Sequence, residues 1–385
     1  MTTLNFSDVD TAPALADRIS AVIADLREEY RASHEFPWIV GFSGGKDSTL
    51  VVQLVFEMLL EIAPGDRTRW IHIVANDTLV ESPLVIRHLT KMLERLAAAA
   101  EALRLPITVM KTKPDTEQSF WVNLIGRGYP SPSRTFRWCT DRLKIQPTSQ
   151  YIRTQATLNG KAILLLGVRR EESSSRAVSV NRYENGQRLN PHNDLPGCLV
   201  YRPIVDLSTD EVWEVLLQRR PPWGGSHREL VTLYRNAQGG ECPLVIDQSQ
   251  APSCGTASSR FGCWTCTVVV KDRSMEGFID AGHAALEPLL EFRDWLAEIR
   301  NDETMRMAYR RNGVLTYLKN GKLVPGPFTL AARRQILDRL VAMQTELGDV
   351  LITDEEIATI HRIWASDAAK PNDAAAVPQF DAEEN

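Results

Sequence analysis

No apolar run in these 385 residues approaches the length of a membrane span, and no internal repeat is evident. The opening "MTTLNFSDVDTAPALADR" has neither the charged start nor the apolar middle of a signal peptide, so a cytoplasmic location and no membrane partner are expected. Neither sign of charge dominates. A net charge of −5 excludes a surface coated in Lys and Arg, but not a local basic groove. Cysteine is scarce, and in a reducing compartment six thiols point to metal or redox chemistry more than to disulfides. Apolar residues, by contrast, make up 43% of the chain, enough for one large core domain and an appendage.

Short apolar runs alternate with helical spacing through the first half. Helical spacing runs over 14–30, and "WIVGF" follows as a strand. Leu50, Val51, Leu54, Val55, Met58 and Leu59 mark the next helix. "WIHIVAND", "LVIRHLTKMLERLAAAAEAL" and "LPITVMK" continue as strand, helix and strand; a helix over 147–158 and the strand "KAILLLGV" come next. This alternation predicts an α/β fold, a parallel sheet with helices on both faces that binds ligands at the carboxyl ends of its strands. From about 236 the periodicity fades and the cysteines concentrate. The expected organisation is a nucleotide domain over 1–235, a cysteine-rich and mostly helical region over 236–365, and a disordered acidic tail over 366–385.

The stretch "VGFSGGKDSTLVV" is nearly a Walker A loop, yet it is one residue short and carries Asp47 where Ser or Thr should follow Lys46. Gly44 and Gly45 can still turn successive amides into one concavity at a helix start, with Ser43 and Ser48 on either side. The loop reads as an anion cradle.

Cys242, Cys254, Cys263 and Cys266 form C-x11-C-x8-C-x2-C, which suits a Cys₄ zinc site or an iron–sulfur cluster equally well. Cys139 stands apart, flanked by Arg137, Arg142 and Lys144, whose charge is expected to lower its pKa. The alternative is a small buried hydrophobe, and Cys198 is expected to be structural. Arg134, Arg137, Arg142 and Lys144, with Arg169, Arg170 and Arg176, supply cations on the expected ligand side; Arg306, Arg310 and Arg311 are expected on helix faces.

"SGGKDS" resembles the S-G-G-x-D-S loop of the PP-loop ATP pyrophosphatases. "NDTLVE" (76–81), "GVRREESSSR" (167–176) and "RWCTDRLKIQP" (137–147) narrow the likeness to the phosphoadenylyl sulfate reductase-like branch, although Trp138 replaces one of the paired cysteines of some reductases. With "GGECP", "PSCG", "RFGCWTCTVV" and "GPFTL", the chain is most similar to the DndC and SspD family, sulfurtransferases of bacterial DNA phosphorothioation. The resemblance implies that Ser43, Gly44, Gly45, Lys46, Asp47 and Ser48 grip the pyrophosphate of ATP, with Asp47 on Mg²⁺. It places Asp77, Thr78, Gly167, Arg169 and Arg176 at the nucleotide, and Asp47, Arg169 and Cys139 at the chemistry. It implies a [4Fe–4S] cluster on Cys242, Cys254, Cys263 and Cys266, with Cys139 as a sulfur carrier or a substitute ligand. Its partners would be the DNA backbone, a cysteine desulfurase and other phosphorothioation proteins.

Overall fold

The computed structural model describes residues 13–172, 187–237 and 261–368. Arg176, Cys242, Cys254 and residues 369–385 lie outside the described residues.

Helix α1 (Leu15–Tyr30) buries Ile19, Ile23, Leu26 and Tyr30 along one face. Strand β1 (Trp38–Gly41) passes through the glycine loop into α2 (Lys46–Glu61). Then follow β2 (Ile71–Asn76), α3 (Pro83–Ala102), β3 (Ile107–Thr112), α4 (Gln146–Asn159) and β4 (Ala162–Leu165) in the expected alternation. Two strands that periodicity did not mark, β5 (Asn190–Pro191) and β6 (Cys198–Tyr201), complete a six-stranded sheet of order β3-β2-β1-β4-β6-β5. β1 pairs in parallel with β2 and β4, and β4 with β6; β5 runs antiparallel to β6.

Strands covered on both faces read as continuous apolar runs rather than alternations. Trp38, Ile39 and Val40 of β1 and Ala162, Ile163 and Leu165 of β4 are all fully buried. The six apolar positions of α2 are buried too, so this helix is clamped along its length. β2 and β3 lie on one side of β1, and β4 and β6 on the other. The strand order therefore reverses between β1 and β4, and a crevice forms where their outgoing loops diverge.

The polypeptide divides into two compact units. The first comprises Met1–Ala75, Leu89–Met110 and Ile152–Val231; the second comprises Asn76–His88, Lys111–Tyr151 and Thr232–Asn385. The first holds most of the sheet, together with α5 (Thr209–Gln218), whose start is fixed by a reciprocal capping box between Ser208 and Glu211. A further helix, α6 (Arg228–Asn236), follows.

The second unit is helical, with α7 (Arg273–Asp280), α8 (Glu287–Ile299), α9 (Leu330–Leu347) and α10 (Asp354–Ala368). Trp121, Phe278, Phe292, Leu296, Phe328 and Ile336 form the heart of its core. Its indoles find acceptors: buried Trp121 donates from Nε1 to the Leu351 carbonyl (2.7 Å), and half-buried Trp364 donates from Nε1 to that of Ile125 (3.0 Å). Helix α10 runs three residues into the segment expected to be a disordered tail. No helix among the described residues is long and apolar enough to cross a membrane.

Candidate functional site

The loop at the strand-order reversal is held open by its own serines. Ser48 Oγ accepts the Ser43 N–H (3.2 Å) and donates to the Gly45 carbonyl (3.0 Å), while Ser43 Oγ accepts the Gly45 N–H (3.4 Å). Gly44 sits at φ +74°, a left-handed conformation that a side chain would strain. Gly45 is the N-cap of α2 and offers no side chain to the first-turn amides. Those amides, with the partial positive charge of a 16-residue helix behind them, remain available to an anion.

Asp47 lies in that first turn, and its carboxylate is already engaged. Arg169 Nε donates to Oδ1 at 2.6 Å, and Lys46 Nζ lies 3.0 Å from Oδ2. The Asp47 carboxylate therefore does not fit the role of a Mg²⁺ ligand in this arrangement. A dication would have to approach a group whose two oxygens each face a cation, beside a positive helix terminus. The same donor set fits an anion.

Arg169 is fully buried and turns its remaining donors to the Leu207 carbonyl (3.2 Å) and Thr209 Oγ1 (3.0 Å). Thr209 is the first residue of α5. Arg169 ties the β4 loop and the start of α5 to Asp47. Gly167 completes the joint. A Cβ at this position would lie 2.8 Å from the Asp47 carbonyl carbon and 3.0 Å from the Ser48 nitrogen. Gly167→Ala must therefore push the start of α2 away from β4. Overpacking of this kind costs about 1–3 kcal/mol. A lower melting temperature and about tenfold weaker ATP binding are the expected outcome, checked by thermal denaturation and nucleotide titration.

The second unit gathers a different set of groups. The segment 76–81 runs beside 262–264, where Trp264 N–H donates to the Val80 carbonyl (3.0 Å) and Glu81 bridges Cys263. Thr78 Oγ1 lies 3.3 Å from Cys263 Sγ and 3.0 Å from Glu81 Oε1. Lys144 Nζ lies 3.4 Å from the same Glu81 oxygen. Asp77 is used locally: it accepts the Leu79 N–H (2.9 Å) and pairs with Lys111 (2.9 Å). Thr78, expected at the nucleotide, therefore contacts a cysteine.

Cys139 reaches this neighbourhood from far away in sequence. Burial raises its pKa, and so does the nearby Cys266; Lys144 opposes them weakly. The expectation of a depressed pKa is overturned for a structural reason. Arg137 is exposed, and Arg142 is spent on Gln118 and on Tyr129, whose ring centre lies 5.3 Å from its guanidinium. Burial and Glu81 push the Cys263 thiol up as well. Trp264 and Phe261 are packed as the apolar surround expected of them, Trp264 against Trp121 and Phe292, and Phe261 edge-on to Tyr234. Trp138 stacks on Phe120.

Three of the six thiols, Cys139, Cys263 and Cys266, thus share one environment, while Cys198 is buried in β6 with its pKa pushed up to about 11. No three His, Cys, Asp or Glu side chains among the described residues are grouped tightly enough for a single metal ion. Sequence reasoning missed Glu81 as the carboxylate next to the cysteine pair. It lies within "NDTLVE", but nothing local shows which distant residue it faces.

The model of the phosphoadenosine phosphosulfate reductase domain matches residues 37–269. An uncharacterized protein of Methanocaldococcus jannaschii is 25% identical over 187 residues, covering 49% of this chain and 32% of that protein, so the chain spans about a third of the length of this curated relative. Among solved structures, the phosphoadenylyl-sulfate reductase of Candida auris in a phosphate complex aligns with a TM-score of 0.32 at 11% identity, over 54% of this chain and 88% of that one. The NH3-dependent NAD synthetase of Campylobacter jejuni aligns with a TM-score of 0.32 at 12% identity, over 75% and 96%. The FMN adenylyltransferase of Candida glabrata, bound to FMN and an ATP analogue, aligns with a TM-score of 0.33 at 11% identity, over 56% and 60%.

Proposed function

This chain belongs to the phosphoadenosine phosphosulfate reductase domain family, and on that premise we propose that it is an ATP pyrophosphatase-type sulfurtransferase of DNA phosphorothioation. The observation that carries the reading is the S-G-G-K-D-S loop at the reversal of strand order, with uncapped helix amides and Lys46 beside an ion-paired Asp47. The choice of DNA over a small acceptor rests on the resemblance of the cysteine segment.

The substrate is ATP with its Mg²⁺ carried on the phosphate oxygens. The amides of Gly44 and the first turn of α2 bind the β,γ-pyrophosphate, and Lys46 adds charge as it leaves. Asp47 and Arg169 hold the loop in register without touching the nucleotide. A non-bridging oxygen of a DNA phosphate attacks the α-phosphorus, forming a P–O bond as pyrophosphate departs. The outer sulfur of a persulfide, formed by a cysteine desulfurase and held on a carrier cysteine, then attacks the DNA phosphorus, and AMP leaves with the displaced oxygen. A second thiol attacks the carrier sulfur, breaking the S–S bond to release the phosphorothioate and leaving a disulfide between the two cysteines. Cys263 and Cys266, with two of Cys139, Cys242 and Cys254, would hold a [4Fe–4S] cluster. Such a group supplies thiolate-bound iron able to carry electrons or bind sulfur. Thr78, Glu81 and Lys144 set the charge around it.

The decisive measurement is mass spectrometry of nuclease-digested DNA from cells with and without the protein. Sulfur-containing dinucleotides that appear only with it are the expected result, alongside pyrophosphate release from MgATP by the purified protein. Their absence in cells that hold the partner proteins overturns the reading. The family match also favours a second one, reduction of a sulfonucleotide, against which Trp138 stands in place of a paired cysteine. Sulfite release from phosphoadenylyl or adenylyl sulfate decides between them.

A further inference from the structure

Between α8 and α9 the chain leaves the core and returns. The excursion begins where Arg306 pairs with Phe328 and Met307 N–H donates to the Pro327 carbonyl (2.8 Å). It narrows to a two-stranded tip, with Tyr317 bridged to Leu323 and Leu318 N–H on the Lys322 carbonyl (2.8 Å). The helix faces expected for Arg306, Arg310 and Arg311 do not form. Arg306 is buried and clamps the base through the carbonyls of Gly326 (2.7 Å) and Pro325 (3.0 Å), and Arg311 anchors one arm on Asp367 (2.6 Å).

The tip has a composition unlike the rest of an acidic chain. Residues 307–327 contain Arg310, Arg311, Lys319 and Lys322 and no carboxylate. Among the described residues Arg310, Lys319 and Lys322 have no carboxylate partner, whereas Arg311 does. Tyr317 is 58% exposed and Leu318 53%, and Val314 and Leu315 beside them are exposed as well. Cations without counter-ions repel one another and gain from a polyanion. An exposed tyrosine and leucine between them gain from a partner with apolar faces. Nucleic acid offers both, and the major groove of a duplex admits a two-stranded ribbon. An acidic protein surface would satisfy the lysines but not the apolar tip.

We propose that the ribbon 307–327 is a DNA-docking element, with Lys319, Lys322 and Arg310 on phosphates and Tyr317 and Leu318 on sugars and base edges. This deepens the proposed function and rests on it. Because the ribbon projects from a base fixed by Arg306 and Arg311, its tip can change without disturbing the core.

The test is fluorescence anisotropy of a labelled duplex with the full chain across a salt series. Lys319→Glu combined with Lys322→Glu is expected to weaken binding about tenfold or more and to lower the slope of log affinity against log salt by about two. Tyr317→Ala is expected to weaken binding about tenfold while leaving that slope in place. Arg153→Glu, an exposed charge reversal on α4, serves as the control and is expected to change neither. All variants should keep the wild-type melting temperature. Unchanged duplex affinity in both ribbon variants overturns the inference and leaves the apolar tip to a protein partner. A wild-type chain that binds no duplex also overturns it. Pyrophosphate release and sulfur-containing dinucleotides, measured separately, would then still support the functional reading.

Discussion

Asp47→Asn is expected to lower pyrophosphate release from MgATP about 100-fold, because the loss acts through the position of the loop rather than through a missing nucleotide contact. The carboxylate holds Arg169 at 2.6 Å and Lys46 at 3.0 Å. Removing its charge leaves a fully buried guanidinium with Glu171, 3.5 Å away and mostly exposed, as its remaining acidic partner. Breaking one side of such a buried pair costs about 3–5 kcal/mol, so the melting temperature should fall together with activity. A Mg²⁺ titration separates the two roles considered for Asp47. If it ligated the metal, excess Mg²⁺ would restore part of the rate. An anchoring role predicts no recovery, and a variant with wild-type turnover would remove Asp47 from both roles.

The second large effect is on iron. Anaerobically purified protein is expected to be brown and to carry about four irons per chain. Cys263→Ser should bleach it, because Cys263 belongs to the tightest chelating pair, C-x2-C with Cys266; Cys139→Ser should bleach it as well if Cys139 is one of the ligands. Cys198→Ser should leave the colour unchanged, since its thiol is buried in β6 and directed to the Leu199 carbonyl (3.7 Å). Iron analysis and the visible spectrum check all three. Should Cys139→Ser keep its iron and lose DNA sulfur, Cys139 is the sulfur carrier and both Cys242 and Cys254 are ligands. Stoichiometric zinc in protein made with ample iron and sulfide would replace the cluster with a structural metal site.

The features legible in the sequence are those set by neighbouring residues. Continuous apolar runs marked β1 and β4, and helical spacing placed α1 and α2. The glycines marked the loop between β1 and α2. Strands β5 and β6 escaped because they are only two and four residues long. The helix faces expected for Arg306 and its neighbours failed because this stretch is glycine- and proline-punctuated and pairs with itself as a ribbon.

By itself the sequence determined the alternation that makes a parallel sheet and the residue types available at each site, since both follow from local sterics and periodicity. Tertiary structure decided what each of those residues is used for. Asp47 meets Arg169 across 122 residues, a pairing that no local pattern in the loop announces. Cys139 meets Cys266 in a buried setting, where desolvation outweighs the basic neighbours that sequence proximity suggested. Burial and long-range ion pairing arise only when distant segments pack, and no local pattern encodes which segment that will be.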